Sequence, residues 1–125
     1  MQILGVSWVG ILSDGEVLAQ YLERTLGLPL RSRGQSWHEF AAGAAMVEIL
    51  TSSSSASRNV SRGVPAVAFE VESLDDAIDE LRTRGGTLRG GVEAWQGDGE
   101  RHRWVYLDAP EGVVLLLRET SRDQG

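Results

Sequence analysis

The sequence predicts an α+β domain assembled from two similar modules, and three observations carry that prediction. Residues 67–81, VAFEVESLDDAIDEL, pass from an alternating strand pattern into a capped amphipathic pattern, the signature of a strand feeding a helix. The same order stands once before, between Gly5 and Gly27. Each helix is followed by runs that alternate or are wholly apolar, so strands outnumber helices in both halves.

In chain order, Gly5–Leu12 is a strand, with Trp8, Gly10 and Leu12 on one face and Ser7, Val9 and Ile11 on the other. Asp14 is a candidate N-cap. Val17, Leu18, Tyr21, Leu22 and Leu26 then form the stripe of a helix over about 15–26, closed by Gly27 and expected to cover the Trp8 face. A short extended piece, 28–33, precedes a hairpin of Trp37–Ala42 and Ala44–Leu50 around Gly43. Its expected register sets Ala41 against Ala44, Glu39 against Met46 and Trp37 against Glu48, with His38 turned away. The stretch 51–63, TSSSSASRNVSRG, has little to bury and reads as a linker, mobile or lying on the surface.

The second module begins at 64. Val67, Phe69 and Val71 face one way. Ser73 caps a helix with Asp75 and Asp76 in its first turn and Leu74, Ala77, Ile78 and Leu81 as its stripe. Gly85-Gly86 stops it. A long hairpin follows, turning at Asp98-Gly99. This turn sets Trp95 opposite His102 and Glu93 opposite Trp104, on one face with Tyr106, while Val105 and Leu107 point toward the helix. APEG (109–112) is a turn, Val113–Leu117 the last strand, and the polar end from Glu119, with a tail at 120–125, is expected to fray. An offset of 59 residues superimposes Ser7 on Ala66, Asp14 on Ser73, Leu22 on Leu81 and Gly27 on Gly86, which argues for duplication.

Composition narrows the function. With 125 residues, the chain has room for one domain of two modules. No apolar run approaches 18 residues, and MQILGVSWVGIL lacks the basic start and cleavage site of a signal peptide, so the cytoplasm is the expected compartment. Cysteine is absent, which removes disulfides, thiolate metal sites and a thiol nucleophile. All 12 basic residues are arginine, so no Schiff-base lysine exists. A net charge of -6 argues against nucleic acid and suits a cationic or polar aromatic ligand, though it also serves solubility. No nucleophile elbow, phosphate loop or dinucleotide motif occurs.

The strand–Asp14–helix–Leu26-Gly27-Leu28 segment, VAFEVESLDDAIDELRTRGG and the closing YLDAPEGVVLLL together resemble the vicinal oxygen chelate superfamily, the glyoxalase/bleomycin-resistance/dioxygenase fold, over essentially the whole chain. Ala109 and Glu111 stand where that family usually carries aspartates. The resemblance implies two βαβββ modules that curl a mixed sheet around a cavity. It also implies, for the family's enzymes, a divalent metal held from the first and last strand of each module. By spacing those positions are Ser7, Glu48, Ala66 and Leu116, and only Glu48 is a strong ligand. A rebuilt site would need His102 with Glu48 and Glu93, on separate strands at unmatched spacing; the simpler role for His102 is a polar wall residue.

Loss of the ligands with retention of the cavity resembles the family's non-enzymatic branch, the bleomycin-resistance type. That implies a homodimer with drug-binding clefts at the subunit interface, acting by sequestration. The candidate ligand-binding residues are Ser7, Trp37, Glu39, Glu48, Glu93, Trp95, His102, Trp104 and Tyr106, with no catalytic residue, metal or cofactor assigned. Indoles stack on planar ligands and attract cations, and the glutamates add negative charge. An enzyme of the same fold working on a small molecule or biosynthetic intermediate, with or without metal, is the alternative. A regulatory module using the fold for protein contacts is a third reading.

Overall fold

The computed structural model describes residues 1–122, the side chains of Ser55 and Ala56 apart; residues 123–125 of the expected tail lie outside the described residues. The chain is α+β. Its elements run β1 (Gly5–Leu12), α1 (Val17–Gln20), β2 (Leu30–Arg33), β3 (Trp37–Ala42), β4 (Ala45–Leu50), β5 (Ala66–Glu70), α2 (Leu74–Thr83), β6 (Leu88–Gly97), β7 (Glu100–Leu107) and β8 (Val114–Arg122). Each half is therefore a strand, a helix and three strands. Two compact units form: Ser7–Val67, and Met1–Val6 together with the chain from Ala68 onward. The first six residues gather with the second half because Leu4 N–H donates to the Glu70 carbonyl at 2.9 Å and the terminal ammonium pairs with Glu80.

In the Ser7–Val67 unit the strands lie in the order β2-β3-β4-β1. β1 runs parallel to β4 and the other pairs are antiparallel, so the sheet is mixed. Phe40 and Ile49 pack with Ala19 and Leu22 of the helical segment, flanked by Leu18, Leu28, Leu30 and Val47. β1 registers Gly10 with Glu48 and Trp8 with Met46, and Val9 and Ile11 with Val47 and Ile49. Val9 and Ile11 therefore share the helix-covered face, and Trp8 does not. The expectation that the helix covers Trp8 is reversed: the parallel partner strand, which the β1 pattern alone does not reveal, decides the facing.

The first helix also differs from its expected form. Only Val17–Gln20 is α-helical; Tyr21–Thr25 widens into a π-helix, with Leu26 N–H donating to Tyr21 C=O at 3.0 Å. The buried stripe differs from the expected one: Val17, Tyr21 and Leu26 are exposed while Ala19 and Leu22 are buried. Asp14 is not a cap. Its carboxylate accepts from Ser52 N–H at 2.8 Å and Ser52 Oγ at 3.0 Å, and pairs with Arg62. That pins the serine-rich stretch, which contains a 3-10 turn at Ser55–Asn59 and buries Val60. In the β3–β4 hairpin each partner stands two residues beyond the expected one, setting Trp37 against Leu50, Glu39 against Glu48 and Ala41 against Met46. The shift is even, so every facing is kept.

In the other unit the order is β5-β8-β7-β6. Helix α2 has the expected cap, with Ser73 Oγ accepting from Asp76 N–H at 3.3 Å, and it buries Leu74, Ala77 and Ile78. These pack with Val71, Val105 and Leu117, and with Phe69, Leu88 and Leu107. β6 and β7 pair as expected, Trp95 with His102 and Glu93 with Trp104, and a bulge falls between Arg89 and Glu93. Asp98 and Gly99 both take positive φ (53° and 75°), which the two-residue turn requires. The chain does not fray at Glu119: β8 continues to Arg122, pairing with β7 as far as Glu100. Its polar residues are held because Glu119 accepts from Leu74 N–H at 2.8 Å and faces Arg103 at 3.6 Å.

Candidate functional site

Each unit covers one sheet face with its helix and gathers its tryptophans on the other. On the helix-free face of the Ser7–Val67 unit stand Trp37 and Glu39 of β3, Glu48 of β4 and Trp8 of β1. Trp8 Nε1–H donates to Glu48 Oε1 at 2.9 Å, and Trp37 Nε1–H to Ser32 Oγ at 3.3 Å. Glu39 lies directly across from Glu48, two carboxylates on one face. Ser7 alternates with Trp8 and so stands on the opposite face from Glu48, away from this group. His38 likewise turns to the helix side, 3.8 Å from Glu16.

The helix-free face of the second unit brings together Glu93, Trp95, His102, Trp104 and Tyr106, because each alternates with a residue on the Val105 face. Tyr106 is buried at 3% exposure, whereas Trp95 is 52% exposed. The Trp95 and His102 ring centroids are 5.6 Å apart, with the planes tilted by 36°. β8 adds Arg118 and Thr120 to this face: Arg118 Nη2 lies 2.6 Å from His102 Nδ1, and Thr120 Oγ1 3.3 Å from it. A guanidinium nitrogen only donates, so Nδ1 is the acceptor and the imidazole proton sits on Nε2, 3.7 Å from Glu100. Burial, then the Arg118 charge, hold the His102 pKa below its usual value, against the opposing pull of Glu100 and Glu70. Glu70 Oε1 is buried and accepts no hydrogen bond among the described residues.

Three indoles share a construction. A Cβ on Gly97 would lie 2.6 Å from Cη2 and 2.7 Å from Cζ2 of Trp95, closer than real Cβ atoms come. The same collision would occur between Gly10 and Trp8, and between Gly34 and Trp37. Each ring thus lies against backbone that has no side chain to lift it. In two cases the glycine follows the tryptophan by two residues, a W-x-G spacing that the sequence displays openly. Sequence reasoning missed Trp8, Glu70, Arg118 and Thr120, and that repeated spacing is the signal that would have found Trp8.

The expected metal positions do not form a donor set. Ala66 and Leu116 are buried hydrocarbon at 0% and 3% exposure, and Glu48 is engaged by Trp8. Among the described residues, no three His, Asp or Glu side chains group so as to hold a metal ion. The residues present do not fit the metal that the resemblance implies for the family's enzymes.

The family model described as glyoxalase/bleomycin resistance protein/dioxygenase superfamily matches residues 11–116. The chain belongs to that superfamily. No curated protein matches this superfamily member. Among solved structures, methylmalonyl-CoA epimerase from Mycobacterium tuberculosis is 24% identical, with a TM-score of 0.65 over 94% of this chain and 88% of that one. A hypothetical protein from Bacillus halodurans C-125 superimposes with a TM-score of 0.70 at 18% identity, covering 96% of both chains. A variant of Streptomyces coelicolor methylmalonyl-CoA epimerase, in complex with 2-nitronate-propionyl-CoA, gives 0.67 at 16% identity, over 94% and 98%. At these identities the likeness is one of fold. No helix of the superfamily member is long and apolar enough to cross a membrane among the described residues.

Proposed function

We propose that this superfamily member is a ligand-binding protein that sequesters a planar aromatic natural product, such as an antibiotic, without cofactor or turnover. The observation that carries the reading is Trp95: a large apolar ring that leaves half its surface to solvent on a face also bearing Trp104 and His102. An exposed indole contributes little to folding, whereas stacking on a flat ligand adds roughly 0.5–1.5 kcal/mol beyond area burial. Trp8 and Trp37 give the other unit a comparable face, and the facing pair Glu39 and Glu48 favours a ligand with positive charge, since like charges opposite one another cost stability that a cation relieves. A homodimer in the cytoplasm is the assembly and compartment that fit such a role. Titration of the chelator-treated protein against a panel of aromatic antibiotics, followed by tryptophan fluorescence, tests it. Saturable quenching with the compound recovered unchanged is the expected result.

A second reading, an enzyme of the same fold acting on a small molecule, draws support from Glu70. A buried carboxylate oxygen without a hydrogen-bond donor is suited to accept a proton from a substrate. Methylmalonyl-CoA epimerases share the fold. Chemical change of a bound compound, lost on Glu70→Gln, would favour this reading over sequestration.

A further inference from the structure

We infer that Gly97 is a positioning residue: by having no side chain it lays the Trp95 indole flat along β6, backed by His102, and so makes an open stacking platform for one planar aromatic ring. The inference deepens the proposed binding function and rests on it for the ligand. Residues i and i+2 of a strand share a face, so a side chain at 97 would rise beside the base of Trp95. The indole occupies that space, with Cη2 2.6 Å and Cζ3 3.4 Å from where a Cβ would stand. His102, directly across the ladder, supports the ring from the β7 side at 5.6 Å. What remains of the indole is open, 52% exposed.

Gly97 is not needed for backbone reasons. It is absent from the positive-φ glycines and pairs with Glu100 in the regular ladder. An alanine there meets no strain except the ring, and the ring is the movable partner. Gly91, on the same strand, has nothing within 4 Å of a built Cβ and no positive φ, so it is the matched control.

His102 supplies a readout that needs no ligand, because imidazolium quenches a neighbouring indole more strongly than neutral imidazole does. Among the described residues, charged groups on the face of the pair are Glu93 from β6, Glu100 from β7, Arg118 and Arg122 from β8 and Glu70 from β5.

The experiment compares the full-length wild type with Gly97→Ala, Trp95→Ala, His102→Gln and Gly91→Ala. Fluorescence is followed from pH 7.5 to 5, and binding of 9-aminoacridine, a planar aromatic cation, is followed by calorimetry. The expected result is an acid quench in the wild type and Gly91→Ala that is absent from Gly97→Ala and His102→Gln. Affinity for 9-aminoacridine should fall roughly three- to tenfold in Gly97→Ala, matching Trp95→Ala. An unchanged acid quench in Gly97→Ala, or unchanged affinity in Gly97→Ala where the wild type binds, overturns the inference. If the quench behaves as expected but the wild type binds no 9-aminoacridine, the positioning by Gly97 stands and it is the aromatic-binding reading that fails.

Discussion

The indole N–H of Trp8 donates to Glu48 Oε1 across 2.9 Å, linking two adjacent parallel strands on the face that the helix leaves bare. Glu48 is the one position of the resemblance's metal set with a strong donor, and here it holds an aromatic wall in place. The carboxylate fixes the ring at its nitrogen while Gly10 leaves room beneath its six-membered edge.

Trp8→Phe keeps a flat ring but removes the donor together with the five-membered ring. It should lower unfolding free energy by at least about 1 kcal/mol, the usual net worth of one hydrogen bond, with the lost ring contacts adding to it. Urea denaturation measures this. Unchanged stability would mean that the bond adds nothing and that the ring alone is what the site retains.

Glu119 is the clearest case of a residue whose role depends on distant sequence. Its Oε2 accepts from the first N–H of α2, at Leu74, while Oε1 faces Arg103. A carboxylate at a helix N-terminus satisfies an orphan donor and complements the dipole. Glu119→Ala should therefore cost about 1–2 kcal/mol in chemical denaturation. Glu119→Gln, which keeps an acceptor, should cost less. Equal losses would show the ion pair with Arg103 to matter more than the cap.

What was legible in the sequence was local. Ser73 caps α2 because cap, acidic turn and apolar stripe all lie within one short segment, and Asp98-Gly99 fixes the β6–β7 register because only residues tolerant of positive φ fit that turn. The placement of Glu93, Trp95, His102, Trp104 and Tyr106 on one face followed from that turn alone. The facing of Trp8 was not legible, since an alternating strand looks the same from either side until its partner is known. Nor was the π-widening at Tyr21–Thr25, since the apolar stripe of that stretch reads as an ordinary helix. Arg118 and Glu119 read as a polar end because nothing nearby in sequence shows the β7 ladder and helix terminus that hold them.

Asp14 anchors the serine-rich stretch, and its titration should be visible in proteolysis. The backbone N–H of Ser52, then its hydroxyl, hold the Asp14 pKa below 3.8; burial opposes them, and the Arg62 charge and hydrogen bond add smaller lowering effects. A carboxylate depressed in the folded state contributes stability above the unfolded value, and that contribution is lost as pH falls through the folded value. The loss belongs to the region below about pH 4. Asp14→Asn should remove that acid-side dependence. At neutral pH it should also speed tryptic cleavage after Arg58 and Arg62, as the stretch detaches. Cleavage at the wild-type rate would show that other contacts hold the segment.

His102 should add a second decline on the acid side, beginning at higher pH than that of Asp14. Its pKa is lowered by burial first and by Arg118 second, so the folded state takes up its proton less readily than the unfolded chain. Above the unfolded value near 6.5 neither state is charged at this residue and it has no effect on stability. As pH falls below 6.5 the unfolded state binds the proton first, so stability declines until the folded imidazole also titrates. Protonation there also turns Nδ1 into a donor facing the Arg118 guanidinium at 2.6 Å, replacing a hydrogen bond with repulsion. Denaturation midpoints should therefore decline between pH 7 and 5 in the wild type, and His102→Gln should flatten that decline. A proton NMR titration of the imidazole would give the same answer directly, with His102 titrating below 6.5. A value at or above 6.5 would mean that Glu100 and Glu70 outweigh burial and Arg118.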